Sequence, residues 1–144
     1  EDGVPVLTRD LAIGTRRFRE DLQRERGLAS DEAEKLLQSF ERSPVLDPYV
    51  ESRGEEMAVG VERAAAFLQT ASRGGTAMAK IFTSGGGSRI PGLAEVLAAR
   101  LGVPVERANP IQNIKVRDGV FESLAVDEVV PLLMLPVGLA LRAA

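Results

Sequence analysis

Neither cysteine nor histidine occurs among the 144 residues. The first absence excludes disulfides, thiolate metal sites and cysteine nucleophiles. The second removes imidazole bases, imidazole metal ligands and any Ser-His-Asp triad. Most common hydrolase chemistries go with them. Tryptophan is missing too and aromatics make up 4%, which leaves little to stack on single-stranded nucleic acid. Net charge is -3 and the isoelectric point is near 5.1, so nucleic acid or an anionic membrane would need a local basic cluster. Long hydrophobic runs are lacking. The most apolar run, Val129 to Leu141, is broken by Pro131 and Pro136 and is shorter than the roughly 20 residues of a membrane-spanning helix. It reads as a buried strand or loop running into a helix. What is present, 44% hydrophobic and 27% charged residues, fits one soluble domain able to bury a core.

Glu1-Asp2-Gly3 reads as the tip of a turn, and Val4 to Leu7 as a strand after it. A turn at that place suggests a partner strand upstream, hence a piece of a longer protein. Thr15 is a candidate N-cap, and Phe18, Leu22 and Leu28 lie on a narrow helical stripe broken by Gly27. Ser30-Asp31-Glu32-Ala33 opens a second helix to about Phe40, with an imperfect capping box. A long helix follows over about Val50 to Ser72, ended by Arg73-Gly74-Gly75. In it the run Ala64-Ala65-Ala66 suggests close packing against another element. Ala79 to Thr83 is a strand candidate, Pro91 suits a first helical turn, and Leu93, Val96, Leu97 and Leu101 give that helix an apolar face up to Gly102. Val103-Pro104-Val105 is a second strand candidate. Strand, helices, strand, glycine loop, helix and strand in that order predict an α/β layer structure.

One segment carries chemistry. In Ile81-Phe82-Thr83-Ser84-Gly85-Gly86-Gly87-Ser88-Arg89-Ile90-Pro91-Gly92-Leu93 a strand, a glycine loop and a helix start follow one another. Glycines let backbone approach a ligand without a Cβ in the way, and a helix start offers N–H groups. Together they suit a phosphate or a flat nucleotide face. The string is not a phosphate-binding P-loop, because Leu93 stands where lysine is required, and Ile90 breaks the dinucleotide pattern. The bland alternative is a tight turn joining strand to helix.

Ser84 to Leu93 closely resembles the adenosine motif of the actin-like ATPases. In that superfamily the glycine pair, here Gly85 and Gly86, lies against the nucleotide. In its chaperone branch the arginine, here Arg89, stacks on adenine, a known use of guanidinium. Within the superfamily the chain resembles the C-terminal half of the PilM family, cytoplasmic actin-like proteins of type IV pilus assembly in the FtsA-like branch. Residues Gly3 to Gly14, Asp31-Glu32-Ala33-Glu34, Leu101 to Glu106 and Pro136 to Arg142 carry that resemblance. It departs from the family where lysine often stands near Leu37, and in the loop after Phe40.

The resemblance implies an α/β fold, the second lobe of an actin-like ATPase. Residues 15–72 would include the small helical subdomain; residues 1–14 and 73–144 would form the sheet-containing core. It implies a cofactor-binding set of Gly85, Gly86, Gly87, Ser88, Arg89 and Glu34 for the adenosine side of ATP. No catalytic or metal residue is assigned, and Mg²⁺ would be held mainly by residues outside the chain. Glu32 and Glu34 point to different helix faces, and Glu34 is chosen by resemblance; otherwise it is a solvated carboxylate. The implied partners are the cytoplasmic tail of PilN, mainly through the other lobe, and further pilus machine proteins, with self-association open and neither nucleic acid nor direct membrane insertion. The implied place is the cytoplasm, peripheral to the inner membrane through a partner. The parent is at most a weak ATPase, and this chain alone is expected to be inactive. Other readings stay open: another actin-like ATPase, a sugar-kinase-type phosphotransferase lobe, or a nucleotide-free interaction domain. Arg16, Arg17 and Arg19 read as a solvated face balanced by Glu20, Asp21 and Glu25.

Overall fold

In a computed structural model, which describes residues 5–39, 41–71 and 77–142, the first regular element is α1 (Thr15–Arg26). Its N-cap is Gly14 rather than Thr15, with no side-chain capping bond. Backbone closes the first turn instead: the Arg17 N–H donates to the Gly14 carbonyl at 2.9 Å. Gly27 ends the helix at φ 67, a conformation glycine enters without steric cost. Phe18 and Leu22, one turn apart, are 1% and 0% exposed, as their spacing predicts.

α2 (Ser30–Gln38) starts at Ala29, whose N–H donates to Glu32 Oε2 at 2.9 Å. That is half of a capping box; alanine has no acceptor for the other half. Phe40, read as the helix end, lies outside the described residues. α3 (Asp47–Ala71) begins three residues earlier than Val50, with Asp47 in its first turn, where a carboxylate favours the helix dipole. The stop at Arg73-Gly74-Gly75 and the turn at Glu1-Asp2-Gly3 also lie outside the described residues.

Then the pattern becomes β-α-β: β1 (Ile81–Thr83), a 3₁₀ turn (Gly86–Arg89), α4 (Leu93–Leu101) and β2 (Val105–Arg107). The strands pair in parallel, Ile81 opposite Val105, a pairing that needs a crossover such as α4. Gly92, at φ 81, is the N-cap of α4, so Pro91 precedes the helix instead of sitting in its first turn. Pro5 to Leu7 form no strand, and Val6 is 64% exposed. The chain bends at Val6 instead, and without a ladder partner its backbone is left to water. The chain closes with α5 (Val126–Val129), a 3₁₀ turn (Val130–Leu132) and α6 (Met134–Arg142). Pro131 sits in the 3₁₀ turn and Pro136 in the first turn of α6, where a missing N–H costs no helical bond.

One core spans these pieces. Phe18 and Leu22 of α1, Ala33 and Leu37 of α2, Leu46, Val50 and Ala58, and Ile90, Leu93 and Leu97 belong to the same buried cluster. α3 and α4 approach each other closely at Gly54. A Cβ on Gly54 would stand 2.6 Å from Val96 Cγ1, so only glycine lets α3 and α4 meet there. Arg100 of α4 ties the same seam with bonds of 2.7 Å to Glu55 and to Glu62. Asp21 is buried rather than solvated: it accepts from Arg24 at 2.7 Å and from Arg53 at 2.6 Å, fastening α1 to α3. Hydrogen bonds to Glu56 and Asp21 push the Arg53 guanidinium pKa further up.

Candidate functional site

Positive φ is needed at only one of the three consecutive glycines. Gly85 takes φ 80 and ψ 177, a region essentially reserved for glycine, and this swings the chain from β1 into the 3₁₀ turn. Its N–H donates to the Pro131 carbonyl at 2.8 Å, while its own carbonyl accepts from the Ser88 N–H at 3.1 Å and the Ser88 hydroxyl at 2.7 Å. Ser88 therefore rigidifies the turn from inside. A Cβ on Gly86 would meet only Leu132 at 4.0 Å, and one on Gly87 only Thr15 Cγ2 at 3.5 Å, both ordinary contacts. Neither Gly86 nor Gly87 is among the glycines at positive φ. The fold tolerates a side chain at both positions, so packing does not account for glycine there.

The Thr15 contact sets the turn beside the start of α1. One turn further along α1, Arg19 donates to Glu34 at 3.3 Å, and Glu34 also accepts from Gln38 at 2.8 Å. Residues 15 and 19 share a helix face, so the glycine turn and Glu34 border the same side of α1. Glu34 arrives there paired and about 41% exposed. Leu37, where the resembling family often has lysine, is 3% exposed in the core, and Lys35 faces outward to Asp31 at 3.9 Å. Of the basic trio, Arg16 pairs with Glu20 at 2.7 Å, as a solvated face would.

Arg89 is largely buried along its side chain, with Nη2 3.9 Å from Glu128 Oε2. It opens on a cleft of about 140 Å³ that Ser88, Gly92, Glu95, Arg42 and Arg107 also line. A second cleft, of about 360 Å³, lies against Arg107, Asn109, Asp127 and Pro131. Both lie at the carboxyl ends of the parallel strands, the end at which open α/β sheets bind ligands. Sequence reasoning missed Arg42 and Arg107: both are single arginines outside any motif, and only the fold brings them beside Arg89. Among the described residues no cluster of acidic side chains could hold a metal ion, and no helix is long and apolar enough to cross a membrane.

A family model described as type IV pilus assembly protein PilM matches residues 1–144. A solved structure described as a PilM-PilN type IV pilus biogenesis complex superposes with a TM-score of 0.69 at 26% identity. The match covers 88% of this chain and 36% of that one, so this chain spans about a third of its length. No curated protein matches.

Proposed function

The chain belongs to the PilM family of type IV pilus assembly proteins, and from that premise we propose that it supplies the adenosine side of an ATP cleft in a cytoplasmic scaffold of the pilus machine. The observation that carries this reading is the glycine turn. Gly85 is needed for the bend, whereas Gly86 and Gly87 face space that a Cβ could enter. Glycine at such positions suits a ligand that presses on the backbone. Arg89 would stack its guanidinium plane on the base, Ser88 would hold the turn, and Glu34 would reach the ribose from across α1. No base for chemistry is assigned to the chain, so its part is binding.

The solved relative is a complex with PilN, and we extend that partner to the protein this chain represents: it docks on the cytoplasmic tail of PilN, mainly through residues outside this chain, and sits at the inner membrane through that partner. Mg²⁺ and the phosphates would be held mainly outside the chain as well. Arg89→Ala is expected to weaken ATP by about 0.5–2 kcal/mol, read by calorimetry, with Arg89→Lys intermediate because an ammonium group cannot stack as a plane. Equal binding by Arg89→Ala and the parent chain would overturn the role of Arg89.

A further inference from the structure

Glu34 is held from two sides. Its Oε2 accepts from the Arg19 guanidinium at 3.3 Å, and its Oε1 accepts from the Gln38 side-chain amide at 2.8 Å. We propose that Arg19, together with Gln38, is a positioning residue that presents Glu34 as a two-oxygen acceptor for the vicinal hydroxyls of a ribose, so that the site selects ribonucleosides over nucleosides without that diol. This rests on the nucleotide reading above and names what the sugar must carry.

Three observations carry it. First, each oxygen of Glu34 takes one donor from the protein. A carboxylate offers about four lone-pair directions, so one remains on each oxygen for a ligand. Two neighbouring hydroxyls supply two O–H donors side by side, and a carboxylate meets ribose hydroxyls in the same way in dinucleotide-binding folds. Second, every member of the clamp is anchored next to a core residue. Arg19 follows Phe18, Glu34 follows Ala33 and Gln38 follows Leu37, and those neighbours are 1%, 0% and 3% exposed. Packing fixes the backbone under all three, and the two hydrogen bonds settle the side-chain torsions that remain, which is how a binding group is held ready. Third, α1 spans the site. Thr15, whose methyl a side chain on Gly87 would touch, lies one turn before Arg19 on the same face. Arg19 thus links the glycine turn, on the base side, to Glu34 on the sugar side. Arg19 and Glu34 are 39% and 41% exposed, and ion pairs so open to water contribute little to stability. Holding the carboxylate is the larger effect.

The test compares adenosine with 2′,3′-dideoxyadenosine in NMR titrations of the chain. Adenosine is expected to bind about tenfold tighter, the effect of hydrogen bonds to a charged acceptor. Arg19→Ala should erase most of that preference while leaving the affinity for dideoxyadenosine unchanged. Arg19→Lys should keep part of it, because an ammonium group still donates to Glu34 but without the planar fork. Arg16→Ala removes another exposed ion pair of the same helix, the one to Glu20, and should leave the preference as it is. Circular dichroism confirms that each variant is folded. An unchanged preference in Arg19→Ala, or an equal fall in Arg16→Ala, would overturn the role of Arg19 and leave nucleotide binding standing. Equal affinity of the parent chain for the two nucleosides would overturn the ribose contact, again without touching the base side. Binding of neither nucleoside would remove the nucleotide reading and this inference with it.

Discussion

α1 and α6 are opposites in composition, and their burial runs against it. α1 carries eight charged residues in twelve, yet it contributes Phe18 and Leu22, among the most deeply buried side chains of the chain. α6 carries one charge in nine and buries none of its residues; Leu135, Leu139 and Leu141 are 70%, 55% and 64% exposed. The difference is the partner surface. Two apolar positions on one face of α1 meet α2 and α3 and join the buried cluster they share with α4. α6 is apolar nearly all round, the pattern of a helix covered on every side, but here it packs mainly on the 3₁₀ turn that precedes it, with Phe82 of β1 beside it at 64% exposure. Apolar composition therefore marks what a segment can bury, and the surrounding elements decide whether it does.

Unfolding measurements can break that comparison. Leu22→Ala should cost about 3 kcal/mol, the usual penalty for a fully buried leucine, whereas Leu139→Ala should stay within about 0.5 kcal/mol. Equal losses in urea melts would mean that α6 belongs to the cooperative core after all. Asp21→Ala should come next, at about 2 kcal/mol, because Arg24 and Arg53 then lose a charge-assisted acceptor. A loss for Asp21→Ala near zero would show that α1 holds its place through Phe18 and Leu22 alone. The smallest contrast lies in the glycine turn. Gly85→Ala should cost about 1–3 kcal/mol for its backbone conformation, and Gly86→Ala less than about 0.5 kcal/mol. If both cost the same, the fold itself requires Gly86 and the ligand argument falls.

The helices and the glycine turn were legible because their signals are local. Periodicity exposes Phe18 and Leu22; Gly27 and Gly102 stop helices at left-handed positions; the resemblance of Ser84 to Leu93 is carried by contiguous residues. The rest depends on contacts far apart in the chain. Nothing around Gly54 announces that it faces Val96 some forty positions on. Asp21 reads as one more acid on a charged helix until Arg53 comes round to meet it. Val4 to Leu7 has strand composition, but a strand also needs a neighbour, and Pro5 to Leu7 have none among the described residues. Arg42 and Arg107 become site residues only once the crossover of α4 closes the cleft.

The proposed role of the chain rests on Gly86 and Gly87 facing ligand rather than protein. Adenosine titrated into the isotopically labelled chain, with backbone amide NMR as the readout, tests this directly. The account expects weak, saturable binding, no tighter than millimolar, with shifts concentrated at residues 85–89 and at Glu34, and their loss in a folded Gly86→Val variant. Shifts scattered over α6 and β1, or an unchanged titration by Gly86→Val, would contradict it.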